Sequence, residues 1–126
     1  MKKRYFEIGI EKMSVFAFHG YYTEEQKIGK FFVLDLKLSF EVGENKSITQ
    51  LSETINYETL SLILLQEMKI TSQLLESVAE RILNRLTKKF KYNKALIRIS
   101  KTNPPMGLDI KYAYIELTQE NKIGKY

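Results

Sequence analysis

The sequence contains no cysteine and only one histidine, His19. Without cysteine the chain can form neither a disulfide nor a thiolate metal site, and a thiol nucleophile is excluded with them. A catalytic zinc ion is normally held by three protein ligands, which are drawn largely from histidine and cysteine. The residue inventory therefore argues against a zinc enzyme, and we expect no metal site.

The sequence also lacks a long apolar run. No segment approaches the roughly 18 consecutive apolar residues that a membrane helix needs. Charged residues among the first twelve positions interrupt any apolar run of the signal type. We therefore expect a cytoplasmic protein that does not bind a membrane.

The amino-acid composition is typical of a globular protein. The 126 residues are 44% hydrophobic and 28% charged, which predicts one domain spanning residues 1–126. The net charge of +5 could indicate nucleic-acid binding, but the lysines are scattered along the chain. That pattern favours a solvated basic surface, so we expect no nucleic-acid partner.

The first half of the chain contains two strand patterns separated by a polar loop. In residues 33–42 apolar and polar side chains alternate, which indicates a strand with one wet face. Residues 5–18 form another strand, in which the apolar positions change from even to odd numbers, so we predict a bulge near Glu11 and Lys12. Residues 19–30 are polar, contain glycines near both ends and predict a loop that carries function.

Two helices follow. Asn56 can cap a helix that starts near Tyr57, and Ser72 can cap a second one. Apolar residues at helical spacing from 74 to 86 form the buried stripe of the second helix, which places Arg81 on its solvent side.

Two more strands close the chain, at residues 95–101 and 110–118. The order strand, strand, helix, helix, strand, strand predicts an α+β fold, with both helices on one face of a four-stranded antiparallel sheet. An open sheet has two unpaired edges, so we expect copies of the chain to join into a homo-oligomer.

Lys101 is the first candidate for chemistry. It has the same parity as the apolar residues Ala95, Ile97 and Ile99, so it leaves the sheet on the apolar side. A lysine at a strand end commonly extends its amine to water. The alternative is a partly desolvated amine suited to general acid–base catalysis.

Glu76 lies in the first turn of the second predicted helix, where the helix dipole favours an ionised carboxylate. Such a glutamate can serve the helix alone. It can also accept two parallel N–H bonds from a planar edge like that of a pterin or guanine.

Three further residues have a structural and a functional interpretation. Tyr57 could pack its ring under the sheet, or its hydroxyl could donate and accept protons. Glu25 could be a solvated loop charge. We interpret His19 as a structural hydrogen-bonding residue at a strand end rather than a ligand or base.

Taken together, the chain resembles the dihydroneopterin aldolase family. The similarity is carried by six segments whose order and spacing agree with that family. The segments are Phe16-Ala17-Phe18-His19-Gly20, Glu24-Glu25 to Gly29, Phe32-Val33-Leu34-Asp35-Leu36, Thr54-Ile55-Asn56-Tyr57, Leu74 to Ile82, and Ile97-Arg98-Ile99-Ser100-Lys101-Thr102-Asn103-Pro104-Pro105.

The resemblance implies the tunnelling fold, in which four subunits join their sheets into a barrel and two rings stack into an octamer, with active sites between subunits. It implies a lyase that cleaves 7,8-dihydroneopterin by a retro-aldol reaction into 6-hydroxymethyl-7,8-dihydropterin and glycolaldehyde, and that can also epimerise C2′. No cofactor is implied. Lys101 and Tyr57 correspond to the catalytic residues, Glu25 to the loop glutamate that supports the lysine and the substrate side chain, and Glu76 to the pterin anchor.

The remaining positions implied by the resemblance concern binding. Ile55 and Leu75 correspond to positions that offer backbone groups to the pterin, and Asn56 to one whose side chain covers the ring. The chain departs from the family pattern at Lys30, where glutamine is common, and at residues 106–108. These departures leave open the preference among neopterin, monapterin and phosphorylated relatives.

Two competing interpretations remain at this point. The first is a dihydroneopterin, or dihydroneopterin triphosphate, 2′-epimerase, which no residue excludes. The second is a basic RNA-binding module, since two helices on a four-stranded sheet also describe such folds. Against it, the expected strand order differs, and no aromatic–glycine motif lies on a central strand.

Overall fold

The computed structural model describes residues 2–104 and 106–121. Pro105, the second proline of the sixth segment above, lies outside these residues. The secondary structure elements are β1 (Arg4–Ala17), α1 (Thr23–Ile28), β2 (Lys30–Val42), a 3-10 turn (Leu51–Glu53), α2 (Tyr57–Met68), α3 (Leu75–Lys89), β3 (Lys94–Thr102) and β4 (Tyr112–Glu120).

The four strands form one antiparallel sheet in the order β1-β2-β3-β4. The predicted α+β class and antiparallel sheet are therefore confirmed. Within the described residues β1 pairs only with β2, and β4 only with β3, so the sheet is open at both edges. No helix among those residues is long and apolar enough to cross a membrane.

One face of the sheet forms the core. The buried side chains of β2 are those at even positions, namely Phe32, Leu34, Leu36, Leu38, Phe40 and Val42. Ile97 and Ile99 of β3 pair with Leu36 and Leu34, so they lie on the same face. The buried residues of α2 and α3 join this cluster, which places both helices on one face, as predicted.

The predicted bulge is present in β1. The register with β2 shifts between Ile10 and Met13, and Lys12 has a φ of 56°. The backbone N–H of Lys12 donates to Oδ1 of Asp35 at 3.0 Å. The bulge keeps Met13 and Val15 facing the core, because one extra residue reverses the alternation of the strand.

Two predictions about the second long helix were wrong. Its N-cap is Leu74 rather than Ser72, and Arg81 is half-buried rather than solvated. The Arg81 guanidinium donates to Oγ of Ser72 at 2.5 Å and to the carbonyls of Glu67 and Ile70, both at 3.0 Å. These bonds satisfy carbonyls at the end of α2, an interaction that helical periodicity alone does not reveal. By contrast, Asn56 caps α2 as predicted, since its Oδ1 accepts the N–H of Glu58 at 2.9 Å.

Candidate active site

Lys101 leaves β3 on the apolar face of the sheet, as predicted. It pairs with Phe32, whose side chain is fully buried. Its Nζ donates to Oε2 of Glu25 at 2.5 Å, and the two side chains are only 20% and 13% exposed. The amine therefore does not extend to water but forms a partly buried ion pair. Glu25 is accordingly not a solvated loop charge.

Glu25 is held by the loop between β1 and β2. Inside this loop lies the short helix α1, which the sequence did not predict. The other carboxylate oxygen of Glu25, Oε1, accepts the backbone N–H of Tyr22 at 3.3 Å. A Cβ at Gly20 would lie 2.4 Å from the Cβ of Glu25, so any side chain at position 20 would displace the glutamate. The Nε2 of Gln26 donates to the carbonyl of Gly20 at 2.8 Å and closes the loop.

The charge state of Glu25 follows from these contacts. Burial, the largest single influence, would raise the pKa of Glu25. The hydrogen bond from Lys101, the backbone bond from Tyr22 and the charges of Lys101 and Lys30 outweigh it and hold the pKa below its ordinary value. The group is thus a carboxylate at neutral pH and can hold the Lys101 ammonium in place.

His19 connects this loop to the segment between α2 and α3. Its side chain is 1% exposed, and its Nδ1 accepts the backbone N–H of Ser72 at 3.1 Å. The N–H of Gly20 donates to the carbonyl of Ser72, also at 3.1 Å. The interpretation of His19 as a structural hydrogen-bonding residue is therefore confirmed.

We expect the protein to lose stability in mild acid because of His19. Burial and, to a smaller extent, the charge of Arg81 lower the pKa of His19, and a hydrogen bond with the backbone of Met68 opposes them; the net result is a pKa of about 4. The unfolded chain binds this proton near pH 6.5 and the folded chain only near pH 4. The contribution of neutral His19 to the free energy of unfolding is therefore fully present above pH 6.5. It is lost as the pH falls toward 4, and the loss amounts to about 3 kcal/mol.

Urea unfolding at a series of pH values measures this loss. The matched variant is His19→Asn, whose side-chain oxygen can still accept the N–H of Ser72 but does not titrate. Its free energy of unfolding should fall about 3 kcal/mol less over the same window. If the free energy of unfolding fell equally with pH in the two proteins, protonation of His19 would be ruled out as the cause of the loss.

A cavity of about 240 Å³ opens beside Lys101, between α3 and β4. Leu75 and Glu76, the first two residues of α3, line it together with the lysine. Glu76 is exposed, and within residues 2–104 and 106–121 its carboxylate has neither an ion-pair partner nor a hydrogen bond. The structure thus brings together a paired amine and a free carboxylate at a helix start, where the dipole favours an anion.

The other predicted site residues line a second cavity, of about 320 Å³. It contains Ile55, Asn56 and Tyr57 together with Ile8 of β1. The Tyr57 side chain is 64% exposed, so its ring does not pack under the sheet. The Ile55 side chain is buried, and Asn56 is engaged in capping α2.

A single copy of the chain does not bring the two groups of residues together. The cavity of Lys101 is lined by β4 and the cavity of Tyr57 by β1, which are the opposite edge strands of the sheet. Neighbouring strands lie about 4.8 Å apart, so these edges are separated by about 14 Å across the sheet. Lys101, Glu25, Glu76 and Leu75 therefore form one cluster, and Tyr57, Asn56 and Ile55 form another.

The helix-free face of the sheet carries two ion pairs, Lys12 with Asp35 at 3.6 Å and Arg98 with Glu116 at 3.4 Å. Across the described part of the chain, no three histidine, aspartate or glutamate side chains form a group that could hold a metal ion.

The sequence did not single out two residues around Lys101, namely Tyr21 and Tyr114, which line its cavity. Lys30, noted above only as a departure from the family pattern, lies near enough for its charge to lower the pKa of Glu25. The aromatic pair Tyr21-Tyr22 in a glycine-bracketed loop was an available signal. The contribution of Tyr114 was not readable, because it depends on β4 lying beside β3.

Comparison with known proteins decides the family. Residues 8–118 match the sequence profile of the dihydroneopterin aldolase (FolB) family. The chain belongs to the dihydroneopterin aldolase family. Among its relatives, dihydroneopterin aldolase from Bacillus subtilis (strain 168) is 28% identical over 116 residues, which cover 90% of this chain and 97% of that protein.

Solved structures agree on the fold. E. coli dihydroneopterin aldolase in complex with neopterin superposes with a TM-score of 0.78 at 20% identity, covering 90% of this chain and 97% of the other. A Burkholderia dihydroneopterin aldolase bound to guanine has a TM-score of 0.71 at 14% identity, with 93% and 92% coverage. The resemblance seen in the sequence is confirmed, and membership of an aldehyde-lyase family replaces the RNA-binding interpretation.

Proposed function

We propose that the protein cleaves 7,8-dihydroneopterin into 6-hydroxymethyl-7,8-dihydropterin and glycolaldehyde, a step of folate biosynthesis. The observation that carries the proposal is the Lys101–Glu25 ion pair beside a cavity that also contains the free carboxylate of Glu76. The Lys101–Glu25 pair can transfer protons, and the carboxylate of Glu76 can hold a heterocycle in a fixed orientation.

The pterin would bind through its amidine-like edge. Ionised Glu76 accepts two parallel N–H bonds from the ring, and the backbone of Leu75 adds a further contact at the helix start. Pterin and guanine present the same pattern of N–H groups on this edge. Dihydroneopterin aldolases of the same fold bound to neopterin and to guanine support a site for such a heterocycle.

The substrate itself supplies the electron acceptor. Removal of the 2′-hydroxyl proton forms the aldehyde of glycolaldehyde while the C1′–C2′ bond breaks. Its electron pair forms a C1′=C6 double bond, and the electrons of the N5=C6 imine take up a proton at N5. The resulting enol is protonated at C1′ and loses the N5 proton, which gives the product. Neither a metal ion nor a lysine Schiff base is required by this chemistry.

Lys101 would exchange the proton at N5 through a water, and Tyr57 would carry the protons of the side chain and the enol. Glu25 holds the Lys101 ammonium in position and would face the hydroxylated side chain of the substrate. The backbone of Ile55 would offer hydrogen-bonding groups to the pterin, and the Asn56 side chain would cover the ring.

For Lys101 and Tyr57 to act on one substrate, two copies of the chain are needed, because these residues lie at opposite edges of the sheet. We propose that β1 of one copy lies against β4 of the next, so that the Tyr57 cluster of the first and the Lys101 cluster of the second are the two half-sites of one active site. Both edge strands carry exposed aromatic side chains, Tyr5 and Phe6 on β1 and Tyr112 and Tyr114 on β4, which favours burial there. Four such copies would close a barrel, and two barrels would stack into an octamer.

Product analysis tests the proposed reaction. We expect purified protein incubated with 7,8-dihydroneopterin and a chelator to release glycolaldehyde and 6-hydroxymethyl-7,8-dihydropterin in equal amounts. Recovery of 7,8-dihydromonapterin without glycolaldehyde would instead identify an epimerase. Turnover that stops with the chelator and returns with a divalent metal would contradict the metal-free route.

A further inference from the structure

Lys30 places a second ammonium group beside the Lys101–Glu25 pair. It is the first residue of β2 and is half-buried. Its Nζ donates to the backbone carbonyl of Thr102, the residue after Lys101, at 3.2 Å. The amine of Lys30 is thereby held at the end of β3 rather than free in solution.

The register of the sheet explains why the two lysines meet. Phe32 pairs with Lys101, and Lys30 precedes Phe32 by two residues, so both lysines project from the same face. Residues in this diagonal relation have side chains within reach of each other, at about 7–8 Å between Cα atoms. Glu25 approaches them from α1.

The charges of this cluster do not balance. Burial lowers the pKa of Lys30, the charge of Lys101 lowers it further, and Glu25 opposes both effects. In the described part of the chain, Lys101 pairs with Glu25 and Lys30 has no ion pair of its own. Two ammonium groups thus share one carboxylate, which leaves one positive charge uncompensated.

We infer that Lys30 determines specificity at the end of the substrate side chain, favouring substrates whose terminal hydroxyl carries a phosphate monoester. The inference rests on the proposed function, which directs the substrate side chain along Lys101 toward Glu25. A phosphate monoester carries about −1.5 to −2 charges at neutral pH, and lysine binds phosphate as a point charge. The uncompensated ammonium therefore attracts the phosphorylated side chain more strongly than the neutral one.

The experiment compares kcat/KM for 7,8-dihydroneopterin and its 3′-monophosphate. We expect the unchanged protein to prefer the monophosphate and Lys30→Gln to lose about tenfold of that preference, chiefly through KM. Lys30→Arg should retain it, and added salt should weaken it. The matched control is Lys27→Gln, which removes one exposed charge from the neighbouring helix α1 and should leave the preference for the monophosphate unchanged.

Binding separates this inference from the proposed reaction. Fluorescence titration with oxidised neopterin and its 3′-monophosphate gives a ratio of Kd values that requires no turnover. An equal ratio in the unchanged protein and Lys30→Gln overturns the inference, whether or not cleavage occurs. Absence of cleavage together with a Lys30-dependent ratio overturns the proposed reaction and supports the anion site.

Discussion

Lys101→Ala is expected to lower turnover of 7,8-dihydroneopterin by about a thousandfold while the pterin still binds. Among residues 2–104 and 106–121, Lys101 is the one amine that lines the cavity of Glu76, whereas we propose that the pterin binds through Glu76 and the backbone of Leu75. The loss should therefore fall on kcat rather than on the dissociation constant of the pterin. Single-turnover kinetics and fluorescence titration measure the two quantities separately.

The substitution also leaves the carboxylate of Glu25 half-buried without its partner, which could lower stability as well as activity. The double variant Lys101→Ala/Glu25→Gln removes both charges and should recover the melting temperature without recovering turnover. Lys94→Ala, at the exposed start of the same strand, is the matched control and should behave like the unchanged protein. Normal turnover by Lys101→Ala with intact pterin binding would refute the assigned role.

Mixing two inactive variants is expected to restore activity. Tyr57→Phe and Lys101→Ala each damage a different half-site, and the half-sites lie at opposite edges of the sheet. If each site combines the β1 edge of one copy with the β4 edge of the next, random co-assembly leaves about a quarter of the sites with both residues intact. Co-expression with two affinity tags, followed by sequential purification, isolates the mixed assemblies for assay.

The control for this experiment uses two changes in the same half-site. Lys101→Ala mixed with Glu76→Ala should restore nothing, because every site then receives one of the two defects from a single copy. Failure of the Tyr57→Phe and Lys101→Ala mixture, in assemblies shown to contain both chains, would contradict a site shared between subunits.

The alternation of apolar and polar residues in strands, and their periodicity in helices, were sufficient to predict much of the fold. The period-two pattern of β2 predicted its buried face, because a strand with one wet side must alternate. The change of parity in β1 predicted the bulge at Lys12 for the same reason. Asn56 was identified as a cap because its short side chain satisfies a free N–H at a helix start.

Contacts between distant segments were not predictable in the same way. Arg81 looked solvated on a helical projection, yet its guanidinium binds the end of α2 and the Ser72 linker. Helix α1 has only six residues, too few to create a recognisable apolar stripe. Its position nevertheless determines where Glu25 lies.

The same distinction between local patterns and distant contacts applies to the candidate active site. The sequence by itself determined which side chains were available, that Lys101 faces the apolar side, and that Glu76 lies in the first turn of a helix, because strand parity and helical periodicity are local properties. Only the tertiary structure decided that Glu25 reaches Lys101, that Lys30 joins them and that Tyr57 lies on the far edge. These relations depend on the strand order and on a loop folded over the sheet, and the residues they connect are far apart in the chain.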